Sequence, residues 1–343
     1  MVSNVVSNVV SNVVSNVVNN VVNNVVSNVV NNAVTLQHEM LLRKFARPVA
    51  AVAWGGGVSL STATTAGSSS AQGAGKWSLE GRTVLITGAT AGIGESCAHK
   101  FADEKSKLVL VGRRADKLEE VRREILKLHP GLKVHCVPLD VSDIDKVMAL
   151  PSSLPAEFAN VSVLVNNAGL ALGVAAADTN SIADMETVMA TNVNGLIAMC
   201  RAFLPGMKAR GEGHIINMGS IAGHVTYATG SLYCASKYAV KGFTDAARHD
   251  LVGTPIRVTH ISPGLVGDTE FSVVRLGDAS KAKAVYQDIV ALRAEDVADN
   301  VVYAATRPPH VQIADIVMFA TNQSGPRDLA RVGPSLGGKS SSS

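Results

Sequence analysis

Cysteine is scarce in this 343-residue chain, with only Cys97, Cys136, Cys200 and Cys234, in no CxxC pair and no metal-ligand spacing. That excludes a disulfide framework and a cysteine-built zinc module, and it suits the reduced thiols of an intracellular protein. His214, His224, His249 and His260 show no ligand spacing either, so no metal is expected. No apolar run is long enough to cross a bilayer, which argues against a membrane partner. Net basic charge is missing where it would matter. Arg43, Lys44, Arg47 and Lys76 stand against Glu39 alone, and the other 27 basic and 27 acidic side chains balance. The surplus therefore lies in the first 76 residues, and nucleic-acid binding gets no support.

Those first residues are unusual in themselves. Residues 2–32 repeat Val-Val followed by Ser-Asn or Asn-Asn, with no charge before His38. A period of four leaves each face of a strand mixed. On a helix the Val pair drifts by about 40° per repeat, and Val and Asn are poor helix formers. Residues 1–39 read as a disordered low-complexity tract with some Asn-ladder aggregation risk, or as a spurious extension of the reading frame. Residues 40–76 begin MLLRKFARPVAAVAWGGG and contain no acid. That composition fits an organellar transit peptide if translation starts near Met40, giving a mitochondrial or other organellar address. Otherwise it fits a basic linker in a cytoplasmic protein.

From Arg82 the pattern changes. Apolar runs RTVLITG (82–88), KLVLVG (107–112), KVHCVPLDV (133–141), VSVLVNNAG (161–169), HIINMGS (214–220), IRVTHISPG (256–264) and ADIVMFA (314–320) alternate with helical stretches. Strands that read as continuous apolar runs are buried on both faces, which means a parallel sheet with crossover helices. Residues 77–343 are expected to form one doubly wound α/β Rossmann domain of about seven strands.

TGATAGIG (87–94) sits between the first strand and the first helix. Gly88 permits a tight turn, and Gly92 and Gly94 let backbone approach a pyrophosphate at the helix N-terminus. At the end of the second strand, where a site for NAD places an acid, the sequence reads VGRRADKL. The Arg113–Arg114 pair suits a 2′-phosphate, so NADP is expected. In SLYCASKYAV (231–240), Tyr233 and Lys237 are four residues apart and share a helical face. A tyrosine pKa of about 10 must fall by some three units for the phenol to act as a base near neutrality, which takes about 4 kcal/mol. A neighbouring ammonium can supply much of that, helped by an oxidised nicotinamide. Cys234 reads as packing, Tyr227 as a loop residue, and Tyr238 as pointing elsewhere.

TGATAGIG, NNAG (166–169), Asn192, Ser220, Tyr233-x-x-x-Lys237 and PG (263–264) occur in the order seen in the short-chain dehydrogenase/reductase family, which the chain resembles from residue 82 to about 330. SSLPAEFANVSVLVNNAGLALG (152–173), LPGM (204–207), GHIINMGSIAG (213–223) and SPGLVGDTEFSVVR (262–275) are similar to its NADP-dependent 3-hydroxy acid dehydrogenases. The resemblance implies hydride transfer between NADP and an alcohol or carbonyl, commonly by a dimer or tetramer. It implies Tyr233 as base, Lys237 on the nicotinamide ribose, Ser220 on the substrate oxygen and Asn192 on a relay water. The amide of Asn192 can equally tie a helix to a strand. Gly88, Ala89, Thr90, Ala91, Gly92, Ile93, Gly94, Arg113, Arg114, Asp140, Val141 and Asn167 are implied as cofactor contacts. Pro263, Gly264, Leu265, Val266 and Thr269 belong to a stretch, 263–271, that covers the nicotinamide and substrate. A small hydroxy acid needs a cation for its carboxylate. Arg275 is the candidate, with a surface or intersubunit role as the alternative.

Overall fold

The computed structural model describes residues 76–331. The repeat and the transit-like tract lie outside the described residues, Lys76 excepted. All seven expected strands form: β1 (Thr83–Thr87), β2 (Lys107–Gly112), β3 (Val134–Pro138), β4 (Val161–Asn166), β5 (Gly213–Met218), β6 (Ile256–Pro263) and β7 (Asp315–Met318). They pair in parallel in the order β3-β2-β1-β4-β5-β6-β7. Every residue of β1, β4, β5 and β6 is buried, whereas the edge strands β3 and β7 are partly open. This is why the central runs read as continuously apolar.

Helices α1 (Gly92–Asp103), α2 (Ala115–Leu128) and α9 (Ala294–Ala305) cover one face, burying Phe101, Leu118, Ile125 and Val301. The other face packs against α3 (Ile144–Ser153) and α5 (Leu196–Arg210), where Val147, Met199, Phe203 and Met207 are buried. Each such side chain contributes roughly 1.5–3 kcal/mol by leaving water. A short α4 (Ile182–Met189) runs through a π-helical turn, Ala190–Gly195, into α5. The continuous Ile182–Arg210 rod has 29 residues and, by length and hydropathy alone, could cross a bilayer. Half of its apolar window is buried inside the protein, which accounts for that composition.

The chain reverses direction across the sheet between β3 and β4, so β1 and β4 are neighbours whose following loops diverge to opposite sides. That leaves a crevice beyond their C-terminal ends, the expected ligand position in an open α/β sheet. On the substrate side stand α6 (Ser231–Asp250), α7 (Phe271–Leu276) and α8 (Ala279–Val285).

Candidate active site

The crevice opens into a cavity of about 600 Å³. Its floor is the glycine turn. Gly88 has φ +66°, and a Cβ there would come within 2.9 Å of the Ala168 Cα, so only glycine fits. Asn167 braces the turn, its amide donating to the Thr87 and Gly88 carbonyls at 3.0 and 3.1 Å. Ala91 precedes α1 without a capping side chain, leaving the first-turn N–H groups for another acceptor. A pyrophosphate fits that cradle. Arg114 donates to the Thr90 hydroxyl at 3.0 Å and to both oxygens of Glu270 at 2.9 and 3.2 Å, so its fork already holds an anion. Arg113 lies 3.8 Å from Asp140, with both side chains well exposed.

The cofactor positions drawn from the sequence face this cavity with two exceptions. Ala89 is fully buried in the core under α1. Gly94 is also enclosed, pressed against the Gly88 carbonyl, where it sets the spacing between helix and turn. Both support the turn without reaching the cavity, because Ala89 turns its methyl inward and Gly94 lies on the inner side of α1.

Ser220, Tyr233 and Lys237 come together at the other end. Ser220 follows β5, and its hydroxyl accepts from the Ala222 N–H at 3.1 Å, which fixes the start of a 3₁₀ turn. Lys237 Nζ donates to the Met218 carbonyl at 2.8 Å and sits 5.8 Å from the Tyr233 ring centre. Burial lowers the Lys237 pKa to about 8. Burial also pushes the Tyr233 phenol up, opposed in part by the Ser220 hydroxyl and the Arg275 guanidinium. Within the protein burial dominates the phenol, and the second positive charge that the expectation called on, an oxidised nicotinamide, belongs to the cofactor. The low-polarity pocket that would strengthen the ammonium's pull penalises both charged forms.

Asn192 takes the tying role that its amide also allowed. Its Oδ1 accepts from Leu170 N at 2.9 Å, and its Nδ2 donates to Leu170 O at 2.8 Å and to Ser236 Oγ at 3.1 Å. The amide ties the π-helical turn to the loop after β4 and to α6, and it does not line the cavity. Arg275 does line it, with its fork donating to the Tyr227 hydroxyl at 2.9 Å and to the Gly173 and Thr229 carbonyls. Tyr227, read only as a loop residue, thus belongs to the cavity wall. Phe271 meets Tyr233 edge-on at 5.4 Å. Glu270, within the covering stretch, also borders the cavity, as do Gln323 and Arg327, which nothing local in sequence joins to the motifs. Gln323 accepts from Leu265 N at 2.9 Å and so anchors the covering loop. Tyr238 points away, donating to the His224 carbonyl at 2.6 Å, and Cys234 is buried. All four cysteines are free thiols.

Among the described residues, folding gathers two groups that spacing did not suggest, one of Glu95, His99 and Glu124 on the outer side of α1 and α2, and one of His224, His260 and Asp315. The atoms of the latter are engaged with one another: His260 Nδ1 lies 3.1 Å from Asp315 and 3.0 Å from Ser262, and His224 Nε2 lies 2.9 Å from Ser262. The other ring nitrogen of His260 is buried without a partner among the described residues. A metal on Nδ1 would put an unpaired N–H there, where metal-bound histidines normally have an acceptor. This second group reads as a hydrogen-bonded brace.

A seven-stranded doubly wound sheet with a glycine turn and a Ser-Tyr-Lys cluster at its switch point defines a dinucleotide-dependent oxidoreductase. A family profile described as short chain dehydrogenase matches residues 82–276, and the chain belongs to that family. It is 47% identical over 242 residues to the NADP-dependent 3-hydroxy acid dehydrogenase YdfG of Escherichia coli (strain K12), covering 70% of this chain and 96% of that protein. It is 44% identical over 257 residues to the NADP-dependent 3-hydroxy acid dehydrogenase of Schizosaccharomyces pombe, covering 74% and 98%. Among solved structures, the closed form of a serine dehydrogenase complexed with NADP⁺ superposes with a TM-score of 0.68 at 46% identity, over 71% of this chain and 96% of that one.

Proposed function

We propose that this chain is an NADP-dependent dehydrogenase that oxidises the 3-hydroxyl of a small 3-hydroxy acid of the serine, allo-threonine or 3-hydroxyisobutyrate type, or reduces the matching 3-oxo acid. The observation that carries it is the shared cavity: a guanidinium fork already holding a carboxylate at one end, and Ser220, Tyr233 and Lys237 at the other. The names of the similar proteins support the same cofactor and substrate class.

Gly88, Gly92 and the open N-terminus of α1 would hold the pyrophosphate, and Arg114 with Arg113 the 2′-phosphate. When bound, the nicotinamide would supply the hydride acceptor or donor. Tyr233 Oη takes the hydroxyl proton in oxidation and gives it back in reduction. Ser220 Oγ orients the substrate oxygen. Lys237 places positive charge beside the phenol, and an oxidised cofactor ring would add a second positive charge there. Phe271 and the 263–271 loop exclude water. Arg275, 6.0 Å from the Tyr233 ring centre, faces the substrate carboxylate.

The test is steady-state oxidation with NADP⁺ and NAD⁺ across those three acids, with Tyr233→Phe as control. General-base loss costs roughly 10²–10⁴ in rate. A Phe variant as fast as the parent overturns the assignment. Broad NADPH-dependent carbonyl reduction is the second reading, since the cavity is large and its lid wall includes Phe271, Val274 and Leu276. Uncharged ketones turned over better than any acid would favour it. A non-catalytic dinucleotide binder would be expected to lose Tyr233 or Lys237, and both are present. We also propose a homodimer or homotetramer, checked by light scattering. An organellar address depends on a start near Met40, checked by N-terminal sequencing of the mature protein.

A further inference from the structure

Arg275 and Arg327 approach the same aromatic ring. Their guanidinium carbons lie 5.5 and 5.1 Å from the centre of Tyr227, and both side chains border the substrate end of the cavity. Arg275 is steered there by its hydrogen bond to the Tyr227 hydroxyl. It comes from α7, whereas Arg327 comes from the segment that follows β7. The arginines at the cofactor end each have an acid, Asp140 or Glu270. Neither Arg275 nor Arg327 pairs with a carboxylate among the described residues. Two like charges on one ring repel, with Arg275 half-buried in the cavity wall and Arg327 exposed at its rim. A ligand bearing negative charge at both positions removes that repulsion, and guanidinium forks bind carboxylates bidentately.

We infer that Arg327 is a specificity-determining residue that extends the 3-hydroxy and 3-oxo acids of the proposed function to members carrying a second anionic group, and favours those members. One anion meets Arg275, and the other meets Arg327. This rests on the reading of Arg275 as the carboxylate anchor.

The experiment compares kcat/KM for 3-hydroxyglutarate, a diacid, and racemic 3-hydroxybutyrate, a monoacid, in the full chain with saturating NADP⁺. Arg327→Gln and Arg275→Gln are measured alongside, with thermal unfolding as a check on folding. The diacid is expected to exceed the monoacid by tenfold or more in the parent, and Arg327→Gln is expected to cut that ratio at least fivefold. A parent ratio of one or below, or a ratio unmoved by Arg327→Gln, overturns the inference. Arg275→Gln without effect on the monoacid would instead remove the anchor reading while the Arg327 ratio still stands on its own. Should neither acid turn over, inhibition of NADPH-dependent diketone reduction decides. Glutarate stronger than butyrate, with the difference lost in Arg327→Gln, sustains the second anion site, and equal inhibition overturns it.

Discussion

Glu270 holds Arg114 by its two terminal guanidinium nitrogens, at 2.9 and 3.2 Å, across the mouth of the cofactor crevice. The pairing matches a bidentate guanidinium–phosphate contact, so Glu270 occupies the partner that a 2′-phosphate needs. A carboxylate beside a bound phosphate also repels it. Glu270→Gln is therefore expected to tighten NADP⁺ binding several-fold and leave NAD⁺ unchanged. Arg114→Leu should weaken NADP⁺ by roughly tenfold, the lower range of a charge-assisted hydrogen bond at a half-exposed site. Fluorescence titration with NADPH and NADH reads both. Glu270→Gln weakening both dinucleotides alike would show instead that the bridge holds the loop shut over the cofactor.

Lys237 gives a prediction about stability. Its pKa falls from 10.5 unfolded to about 8 in the fold because burial penalises the ammonium. Below pH 8 both states carry the proton, and the folded state bears the full penalty, about 3 kcal/mol for a shift of this size. Between pH 8 and 10.5 the unfolded chain holds more protons, so stability climbs with pH through that window. Lys237→Met removes the charge, and the variant should gain most over the parent near pH 7, less near pH 10. The Met218 carbonyl, left without its donor, offsets part of the gain. Urea unfolding of cofactor-free protein at pH 7, 8.5 and 10 measures it. Parallel curves for parent and variant would mean that Lys237 is not desolvated.

The same residue shows where sequence stops being informative. The seven strands were legible because central parallel strands are buried on both faces and cannot alternate. The glycine turn and Tyr233–Lys237 were legible because short-range geometry fixes them: one turn of helix, one strand-to-helix connection. The environment was not, since burial of the Tyr233–Lys237 pair depends on β5, α7 and the covering loop together. Asn192 was legible as a residue of its motif, but its amide partners, Leu170 and Ser236, come from distant segments. Arg327 and Gln323 enter the site only because β7 carries the chain back beside the β6 loop.

Gly219, immediately before Ser220, offers a sharper test of long-range packing. Its N–H donates to Ile261 O at 2.7 Å, and a Cβ on it would drive into the His260 ring at Nε2, well inside van der Waals contact. His260 is fully buried and braced by Asp315 and Ser262, so its ring cannot swing away. Gly219→Ala is expected to cost about 1–3 kcal/mol as an overpacking change and to displace Ser220, lowering kcat. His260→Ala alone should also destabilise, by emptying a buried volume and stranding Asp315. The pair of changes together should cost less than the sum, because the alanine methyl then enters the space that the imidazole left. A double-mutant cycle by thermal unfolding, with kcat in parallel, measures the coupling. A favourable coupling of 1 kcal/mol or more, with partial recovery of kcat, places His260 as the positioning residue behind Ser220. Simple additivity would mean that the backbone at Gly219 yields instead, and that Ser220 is held by its own 3₁₀ turn.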